Sequence, residues 1–361
     1  MLKKSKASVL IFTLLFLSAI AILTQQLMQN LNVHTYFAST VINREKAKLL
    51  CLSGIKLAMA QLKEHKSKKF LEALEKKHGK DEKKIEIEKD KKFLSNILPH
   101  LNRWQVFNLH QDIDGIDGEL KICISIEAGK LNINKLYDFK NNDFILEIKP
   151  HLESLILTGD IKLHRGEFIA KIIEFFKKRK RPLDDVSELL KIEGFTKLQL
   201  FYEPPMQVQK KEQAPLRSIA LADLFTVWTE DEKINPLFLS DSATALLELR
   251  RPEFNDSEKM KSVFDKIIDS FLRSYTSVWN EHWDLLLPLY GKVPPNPGFA
   301  SKSKILSQQF DPTVYTVICC GKVNGVEQRI LVIIAANKSQ NENKKNETMQ
   351  SLFKVVKTYW L

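Results

Sequence analysis

The side chains best suited to bind a metal ion lie in one short acidic segment of the 361-residue chain. Its carboxylates belong to Asp112, Asp114, Asp117 and Glu119. Calcium takes about six to eight oxygen ligands from carboxylates and backbone carbonyls, so a calcium site is one interpretation of this segment. The segment lacks the length of an EF-hand loop and the bidentate glutamate that closes such a loop. An ordinary hairpin or Asx turn is the alternative.

Four cysteines, Cys51, Cys123, Cys319 and Cys320, have no spacing typical of a metal site. Cys123 and the Cys319–Cys320 pair lie in stretches that alternate like strands. Because neighbouring residues of a strand face opposite ways, only one member of the pair can meet Cys123. We take Cys319 as the candidate partner in a disulfide, which an oxidising compartment would allow. Buried free thiols are the alternative.

Catalytic motifs are missing from the sequence. It contains no HExxH, GxSxG, P-loop or GxGxxG pattern. Its eight histidines are scattered without the spacing of zinc ligands. We therefore expect a component of an assembly rather than an enzyme, and the alternative is an enzyme whose site carries no recognisable motif.

The segment from Leu189 to Thr196 resembles a helix-hairpin-helix element that turns at Gly194. Elements of this kind can bind DNA phosphates, and a membrane-anchored DNA receptor is therefore an alternative function. The DNA-binding form generally has a second glycine two residues after the first, where this chain has Thr196. The net charge of +11 is spread among both signs, so we expect a hairpin that only packs and no nucleic-acid partner.

Alternating apolar residues predict four strands, one near the middle of the chain and three near its end. The first runs from Leu120 to Ile126. The next two, Val314–Cys320 and Gln328–Ala335, flank Asn324-Gly325, a strong signal for a hairpin turn. The last runs from Leu352 to Trp360 after a polar tract.

Helical spacing predicts the elements between these strands. Residues 93–110 are predicted as partly helical, and residues 143–203 as a helical block. Further helices are predicted from Asp241 to Leu249 and from Ser257 to Trp283. The lysine- and glutamate-rich run from Lys63 to Lys92 is predicted to form solvated helices with ion pairs four residues apart. The fold class is therefore α+β.

One long helix is predicted at the N-terminus. Three lysines precede an uncharged run from Ala7 to Asn43, and neither Gly nor Pro interrupts the chain before Gly54. Spanning a membrane takes about 20 apolar residues, which this run supplies, and the lysines place the N-terminus in the cytoplasm. A cleaved secretory signal, a stable single-pass anchor and a pilin-like leader are the interpretations. The helical pattern continues past residue 28 and favours the last two.

Four segments together resemble the type II secretion system minor pseudopilin K family, also called general secretion pathway protein K. They are the basic stub running into the apolar helix from Lys3, Glu127–Asn134 (EAGKLNIN), Pro182–Thr196 (PLDDVSELLKIEGFT) and Leu221–Trp228 (LADLFTVW) with the Lys233-Ile-Asn-Pro236 that follows. The resemblance implies a long N-terminal transmembrane and assembly helix and a pilin-like α/β domain with a large helical insertion. It implies a non-enzymatic subunit at the tip of a periplasmic pseudopilus.

The resemblance also implies partners and a processing site. The partners are the minor pseudopilins I and J, the lipid of the bacterial inner membrane and the prepilin peptidase. Cleavage between Ala7 and Ser8 would make Phe12 the fifth mature residue, where most pilins carry a glutamate that the K family lacks. Val9, Phe12, Phe16 and Leu23 are the candidate contacts of the assembly helix, and the C-terminal domain is expected in the periplasm.

These expectations divide the chain into six parts. Residues 1–7 are the leader peptide, 8–28 the transmembrane part of the helix, 29–136 the remaining helix with the first part of the pilin-like domain, 137–217 the helical insertion with the hairpin element, 218–303 a return segment with a second helical block, and 304–361 the C-terminal strands.

Overall fold

The structure, a computed structural model, describes residues 3–63, 82–157, 166–201, 218–249, 290, 305–306, 312–336 and 353–361. Within these ranges the α-helices are α1 (Lys3–Lys63), α2 (Glu82–Ile97), α3 (Gln111–Asp114), α4 (Ile133–Leu136), α5 (Lys149–Glu153), α6 (Glu167–Arg179), α7 (Lys197–Leu200), α8 (Leu221–Leu224) and α9 (Asp241–Leu246). Short 3-10 helices span Leu98–His100, Glu127–Gly129 and Val186–Lys191.

The strands of the described residues are β1 (Gln105–Leu109), β2 (Gly118–Ile126), β3 (Leu131–Asn132), β4 (Tyr137–Asp138), β5 (Asp143–Phe144), β6 (Ile156–Leu157), β7 (Ser218–Ile219), β8 (Phe225–Thr226), β9 (Val314–Val323), β10 (Val326–Ala336) and β11 (Phe353–Trp360). Five of them form one antiparallel sheet in the order β1-β2-β9-β10-β11. The remaining short strands pair as β3–β8, β4–β5 and β6–β7 between β2 and β9 in sequence.

Both faces of the three central strands, β2, β9 and β10, are covered. The second half of α1 packs on one face, here called the helix face, mainly over β9 and β10. Ile122, Cys319 and Ile330 lie on this face in one cross-strand row. The opposite insertion face carries Cys123 and Ile318, which pack with side chains of the segment between β2 and β9. The helix face of these strands is apolar, whereas the insertion face also buries the polar residues Lys121, Ser125 and Thr316.

The helix and the sheet touch at glycines. A Cβ added to Gly321 would lie 2.5 Å from the carbonyl oxygen of Ala47 and 3.2 Å from Sγ of Cys51. A Cβ added to Gly54 on the helix would lie 3.0 Å from Sγ of Cys319. Glycine on both partners therefore lets the backbone of α1 approach the backbone of β9.

The predicted α+β class with a long N-terminal helix is confirmed, and the strand pair β9–β10 is confirmed together with its turn. Asn324 and Gly325 both have positive φ, 46° and 81°, as a two-residue hairpin turn that follows the strand twist requires. The strand predicted over Leu120–Ile126 is two residues longer at its start. The last strand is described from Phe353 to Trp360, and its predicted first residue, Leu352, lies outside the described residues.

Other predictions are corrected. Residues 105–109, within the stretch predicted as partly helical, form an edge strand. The sequence did not indicate this strand, since Gln105 and Asn108 interrupt the alternation of apolar residues that would have marked it. The block from 143 to 203 contains short strands besides its helices, and the helix from Asp241 ends at Leu246. Much of the Lys63–Lys92 run, the helix predicted over Ser257–Trp283 and the polar tract from Asn337 to Thr348 lie outside the described residues.

Gly321→Ala is expected to lower the free energy of unfolding by about 1–3 kcal/mol, the usual cost of overpacking a filled core. The added methyl group meets backbone of α1, which cannot move aside as a side chain would. Urea unfolding of the detergent-solubilised chain measures the change. Ser53→Ala on the exposed side of the same helix is the control, and an equal effect of both variants would refute the close contact.

Candidate functional site

The most extensive exposed apolar surface of the described residues is the first half of α1. From Ile11 to Ile42 large apolar side chains are exposed around the helix, among them Phe12 at 71% and Phe37 at 67%. This is the one helix of the described residues that is long and apolar enough to cross a membrane, and none of its apolar window is buried. The segment therefore needs a partner that is not water.

Lipid alone cannot cover this surface. Thirty-two residues from Ile11 to Ile42 rise about 48 Å at about 1.5 Å per residue. A bilayer offers about 30 Å of hydrocarbon. About 18 Å of helix is left over. If residues 8–28 lie in the membrane, this part falls within residues 29–42, where exposed apolar side chains such as Tyr36 and Phe37 alternate with Asn, His, Ser and Thr.

Hydroxyl groups within this surface are satisfied by the helix itself. The Ser18 hydroxyl donates to the Leu15 carbonyl at 2.8 Å, and the Thr24 hydroxyl donates to the Ile20 carbonyl at 3.0 Å. Thr35 and Thr40 donate in the same way to carbonyls four residues earlier. Satisfied hydroxyl groups do not prevent the helix from entering an apolar environment.

The exposed surface ends where α1 meets the sheet. Asn43 is the first buried residue of the helix, and its side-chain oxygen accepts a hydrogen bond from the side-chain nitrogen of Asn324 at 3.3 Å. Two turns further on, Sγ of Cys51 lies 3.1 Å from the carbonyl oxygen of Gln328. Burial raises the pKa of the Cys51 thiol to about 11, so this thiol packs as a neutral side chain.

A buried ionic cluster on the insertion face connects the segment between β2 and β9 to the sheet. We call this cluster, formed by Glu127, Lys130, Asp223 and Thr316, the clamp. Lys130 donates to a carboxylate oxygen of Glu127 at 2.5 Å, and the Thr316 hydroxyl of β9 donates to the same oxygen. Glu127, Lys130 and Thr316 are each at most 4% exposed. The first residues after β2 are thereby fastened to the middle of the sheet.

Asp223 of α8 joins this cluster from the other end of the inserted segment. Burial raises the pKa of its carboxyl group, while the nearby Lys130 ammonium acts in the opposite direction. Its carboxylate accepts the Ser242 backbone N–H at 2.8 Å, and its carbonyl oxygen accepts the Ser240 hydroxyl. One buried ammonium thus faces two carboxyl groups from separate parts of the insertion.

Two asparagine side chains near the clamp make further hydrogen bonds between segments. Asn132 caps α4 through two backbone N–H groups, and its amide donates to the carbonyl oxygen of Thr229. Asn134 exchanges two hydrogen bonds with the backbone of Leu183, at 2.7 and 2.8 Å. The segment from Glu127 to Asn134 is therefore linked to the chain at Thr229 and at Leu183 through hydrogen bonds with their backbone.

Three of the acidic residues predicted to bind calcium have partners within the protein. Asp114 and Asp117 accept backbone N–H groups of His110 and Gln111, and Glu119 forms an ion pair with Lys121 at 2.7 Å. Among the described residues, no group of three or more His, Cys, Asp and Glu side chains is arranged to hold a metal ion. Asp112 and Asp114 lie in α3, Asp117 precedes β2, and Glu119 lies in β2, so the calcium site stays a prediction.

The predicted disulfide between Cys123 and Cys319 is wrong. Cys123 pairs with Ile318 and Cys319 pairs with Ile122, so the two thiols point to opposite faces of the sheet. All four cysteines are free and buried. The prediction correctly used the alternation along β9 but could not supply the register between β2 and β9, which decides the partner.

The hairpin element is built for packing. Gly194 has φ +88°, and Thr196 begins α7 with a capping box in which its side chain and that of Gln199 satisfy each other's backbone N–H groups. The position where a DNA-binding hairpin would have its second glycine is therefore occupied by a helix cap. The 3-10 helix before the turn is held by Glu188, which binds Arg179 at 2.5 and 2.9 Å.

A small cavity lies between the clamp and the C-terminal strand. It measures about 30 Å³ and is lined by Glu127, Lys130, Asp185, Thr316 and Tyr359 among others. Sites for small organic ligands usually enclose about 300–1,000 Å³, so this cavity has room for water but not for such a substrate. The Tyr359 hydroxyl donates to Asp185 at 2.5 Å and ties β11 to the insertion.

Sequence reasoning missed the clamp as a unit. Its residues come from Glu127–Lys130, Asp223 and Thr316, and only the tertiary fold brings these three places together. One signal was available, since a Glu and a Lys three residues apart sit within an otherwise apolar stretch.

No protein-family profile matches the chain, and no curated protein matches it. Among solved structures, a chain of the GspK–GspI–GspJ complex from the type 2 secretion system of enterotoxigenic Escherichia coli is similar to it. The sequence identity is 17%, the TM-score is 0.36, and the similarity covers 76% of this chain and 93% of that chain. At this identity and score the likeness decides neither the function nor the partners of this chain.

Lys130→Met is expected to destabilise the protein by about 3–5 kcal/mol, because it leaves the Glu127 carboxylate buried without its cation. Adding Glu127→Gln should restore at least about half of the loss, since no buried charge is then unpaired at that position. Urea unfolding of the full chain measures both variants.

Lys135→Met, at an exposed lysine of α4, is the matched control and should change the free energy of unfolding by less than about 0.5 kcal/mol. Equal losses for the single and the double variant would contradict the buried pair.

Proposed function

We propose that this protein is a minor pseudopilin at the tip of a type II secretion pseudopilus, where it supports protein export across the outer membrane. Its work is structural: the first half of α1 packs beside the helices of partner pseudopilins, and the globular part caps the assembly. The minor pseudopilins I and J are the proposed partners. The four sequence segments that resemble the K family and the architecture of α1 on an antiparallel sheet support this proposal.

One observation favours an assembly helix over a simple membrane anchor. The uncharged part of α1 that ends at Ile42 extends about 18 Å beyond the hydrocarbon of a membrane, and this extension carries exposed apolar side chains among polar ones. A simple anchor needs no apolar surface beyond the lipid, and exposing residues such as Tyr36 and Phe37 to water is unfavourable. Helices of neighbouring subunits, packed side by side from the membrane to the sheet, would bury this excess.

The tip position follows from the residue proposed as fifth in the mature chain. If the leader ends at Ala7, the mature chain starts at Ser8 and Phe12 takes the position where most pilins carry a glutamate. A subunit with no neighbour above it needs no carboxylate there, and an unpaired charge in lipid is costly. Val9, Phe16 and Leu23 are the further apolar residues proposed to contact lipid and partner helices.

The proposed location is the bacterial inner membrane, crossed once. The lysines at positions 3, 4 and 6 place the N-terminus in the cytoplasm, and the sheet with its insertion lies in the periplasm. We assign residues 1–7 to the leader removed by a prepilin peptidase, 8–28 to the lipid and 29–42 to the helix bundle. The domain boundaries beyond residue 42 remain as predicted from the sequence.

Deletion of the gene is expected to abolish export of proteins that the type II system secretes, while growth in rich medium is unchanged. Secreted enzyme activity in the culture medium, compared with that retained in the periplasm, measures the effect. The intact chain supplied from a plasmid should restore export. Normal export from the deletion strain would end the proposal.

The membrane-extracted protein is expected to begin at Ser8. Intact mass and N-terminal sequencing measure this directly, and Ala7→Asp should leave the leader attached because prepilin peptidases cut after a small residue. Leu198→Asp, at an exposed residue of α7, is the control and should be processed normally. A start near residue 25 would instead mean a cleaved secretory signal.

A further inference from the structure

We propose that a groove between α1 and the edge strand β11 receives the helix of a second membrane-anchored subunit. The occupant is an apolar helix that runs alongside α1 and becomes acidic where it leaves its own apolar stretch. This inference rests on the proposed function, because it takes the exposed half of α1 as a surface for other helices.

One wall of the groove is β11. Trp360 pairs with Ile330, which belongs to the core under α1, so Trp360 lies on the helix face of the sheet. It is nevertheless 45% exposed, and Leu361 beside it is 42% exposed. The helix covers β9 and β10 but stops short of this strand.

The other wall is the flank of α1. Leu50 on the opposite flank would contact a Cβ at Gly118 of β2 at 3.5 Å. Leu52 lies about 200° around the helix from Leu50, because each residue turns the helix by about 100°. The flank carrying Leu52 therefore faces β10 and β11, and Leu52 is 43% exposed.

The groove is closed at one end and open at the other. At the closed end Phe353 is 4% exposed and makes an edge-to-face contact with Tyr315, whose ring contacts Phe93 of α2 in the same way. At the open end, Trp360 lies toward the β9–β10 turn, where Asn324 binds Asn43 of α1. The opening thus faces the exposed apolar half of α1, and the two surfaces are continuous along the helix.

Charge indicates which helix fits. The part of α1 that packs on the sheet carries Arg44, Lys46, Lys48, Lys56 and Lys63 against the single acidic residue Glu45. Lys48 and Lys56 lie one turn before and one turn after Leu52 on the same flank. A helix with acidic residues beyond its apolar stretch is therefore electrostatically complementary to this groove.

Photocrosslinking in intact membranes that contain the full chain and its partner pseudopilins tests the inference. Trp360→benzoyl-phenylalanine is expected to give an adduct with the first helix of another subunit, located by mass spectrometry. Phe37→benzoyl-phenylalanine reports on the proposed helix bundle itself. Leu198→benzoyl-phenylalanine, 60% exposed on the insertion side of the sheet, is the matched control and should give no such adduct.

Lys56→Glu should reduce the adduct at position 360 by about tenfold, since it places like charges together. Lys135→Glu, an equal change of charge at an exposed lysine of the insertion, should leave the adduct unchanged.

The outcomes separate the two proposals. Adducts to a partner helix from both positions 37 and 360 support the groove as a docking site. An adduct from position 37 together with only lipid adducts, or none, from position 360 overturns the groove and leaves the proposed function standing. If position 37 also yields no protein adduct, the proposed function fails and the groove with it.

Discussion

The close approach of α1 to β9 is the constraint on which the other features of this molecule depend. At Gly321 the backbone of the strand lies so near the backbone of the helix that no side chain fits between them. Gly54 gives the corresponding clearance from the helix, over the thiol of Cys319. With the helix fixed at these points, its unpacked half must leave the sheet in one direction. The unpacked half ends at Asn43, whose side chain accepts a hydrogen bond from Asn324 in the β9–β10 turn.

The same contact determines what the other face of the sheet must do. Because α1 covers the centre of the helix face, apolar residues on the other side of the sheet, such as Cys123 and Ile318, are buried only if a second layer covers the insertion face. The inserted segment provides that layer, and the cluster of Glu127, Lys130 and Thr316 fastens it in place. A buried ion pair adds little net stability compared with apolar packing, so its contribution lies mainly in fixing one arrangement of the insertion on the sheet.

Local patterns predicted the elements whose signals are contained in a few consecutive residues. Asn324-Gly325 between two apolar runs indicated the β9–β10 hairpin, and the unbroken run before Gly54 indicated α1. The pairing of strands that lie far apart in the sequence has no local signal of this kind. The strand at Gln105–Leu109 exists because β2 lies beside it, and the register of β2 on β9 separates Cys123 from Cys319. Both depend on contacts across many residues, which the sequence alone does not specify.

Several residues whose types suggested binding chemistry make hydrogen bonds to backbone groups in this structure. Asp114 and Asp117 cap a turn, Asn132 and Asn134 join distant loops, and Thr196 begins a helix. Asx turns and helix caps use the same residue types as ligand sites do, so the two can look alike in a sequence.

The surface proposed to function in assembly has no motif, since its chemistry is apolar area and length. The sequence nevertheless shows where this surface ends. The uncharged run ends at Asn43, the first residue of α1 that the sheet buries, and charged residues resume at Arg44. Composition therefore distinguishes the two parts of the helix: it is uncharged with exposed apolar side chains before this residue, and charged and packed on the sheet after it.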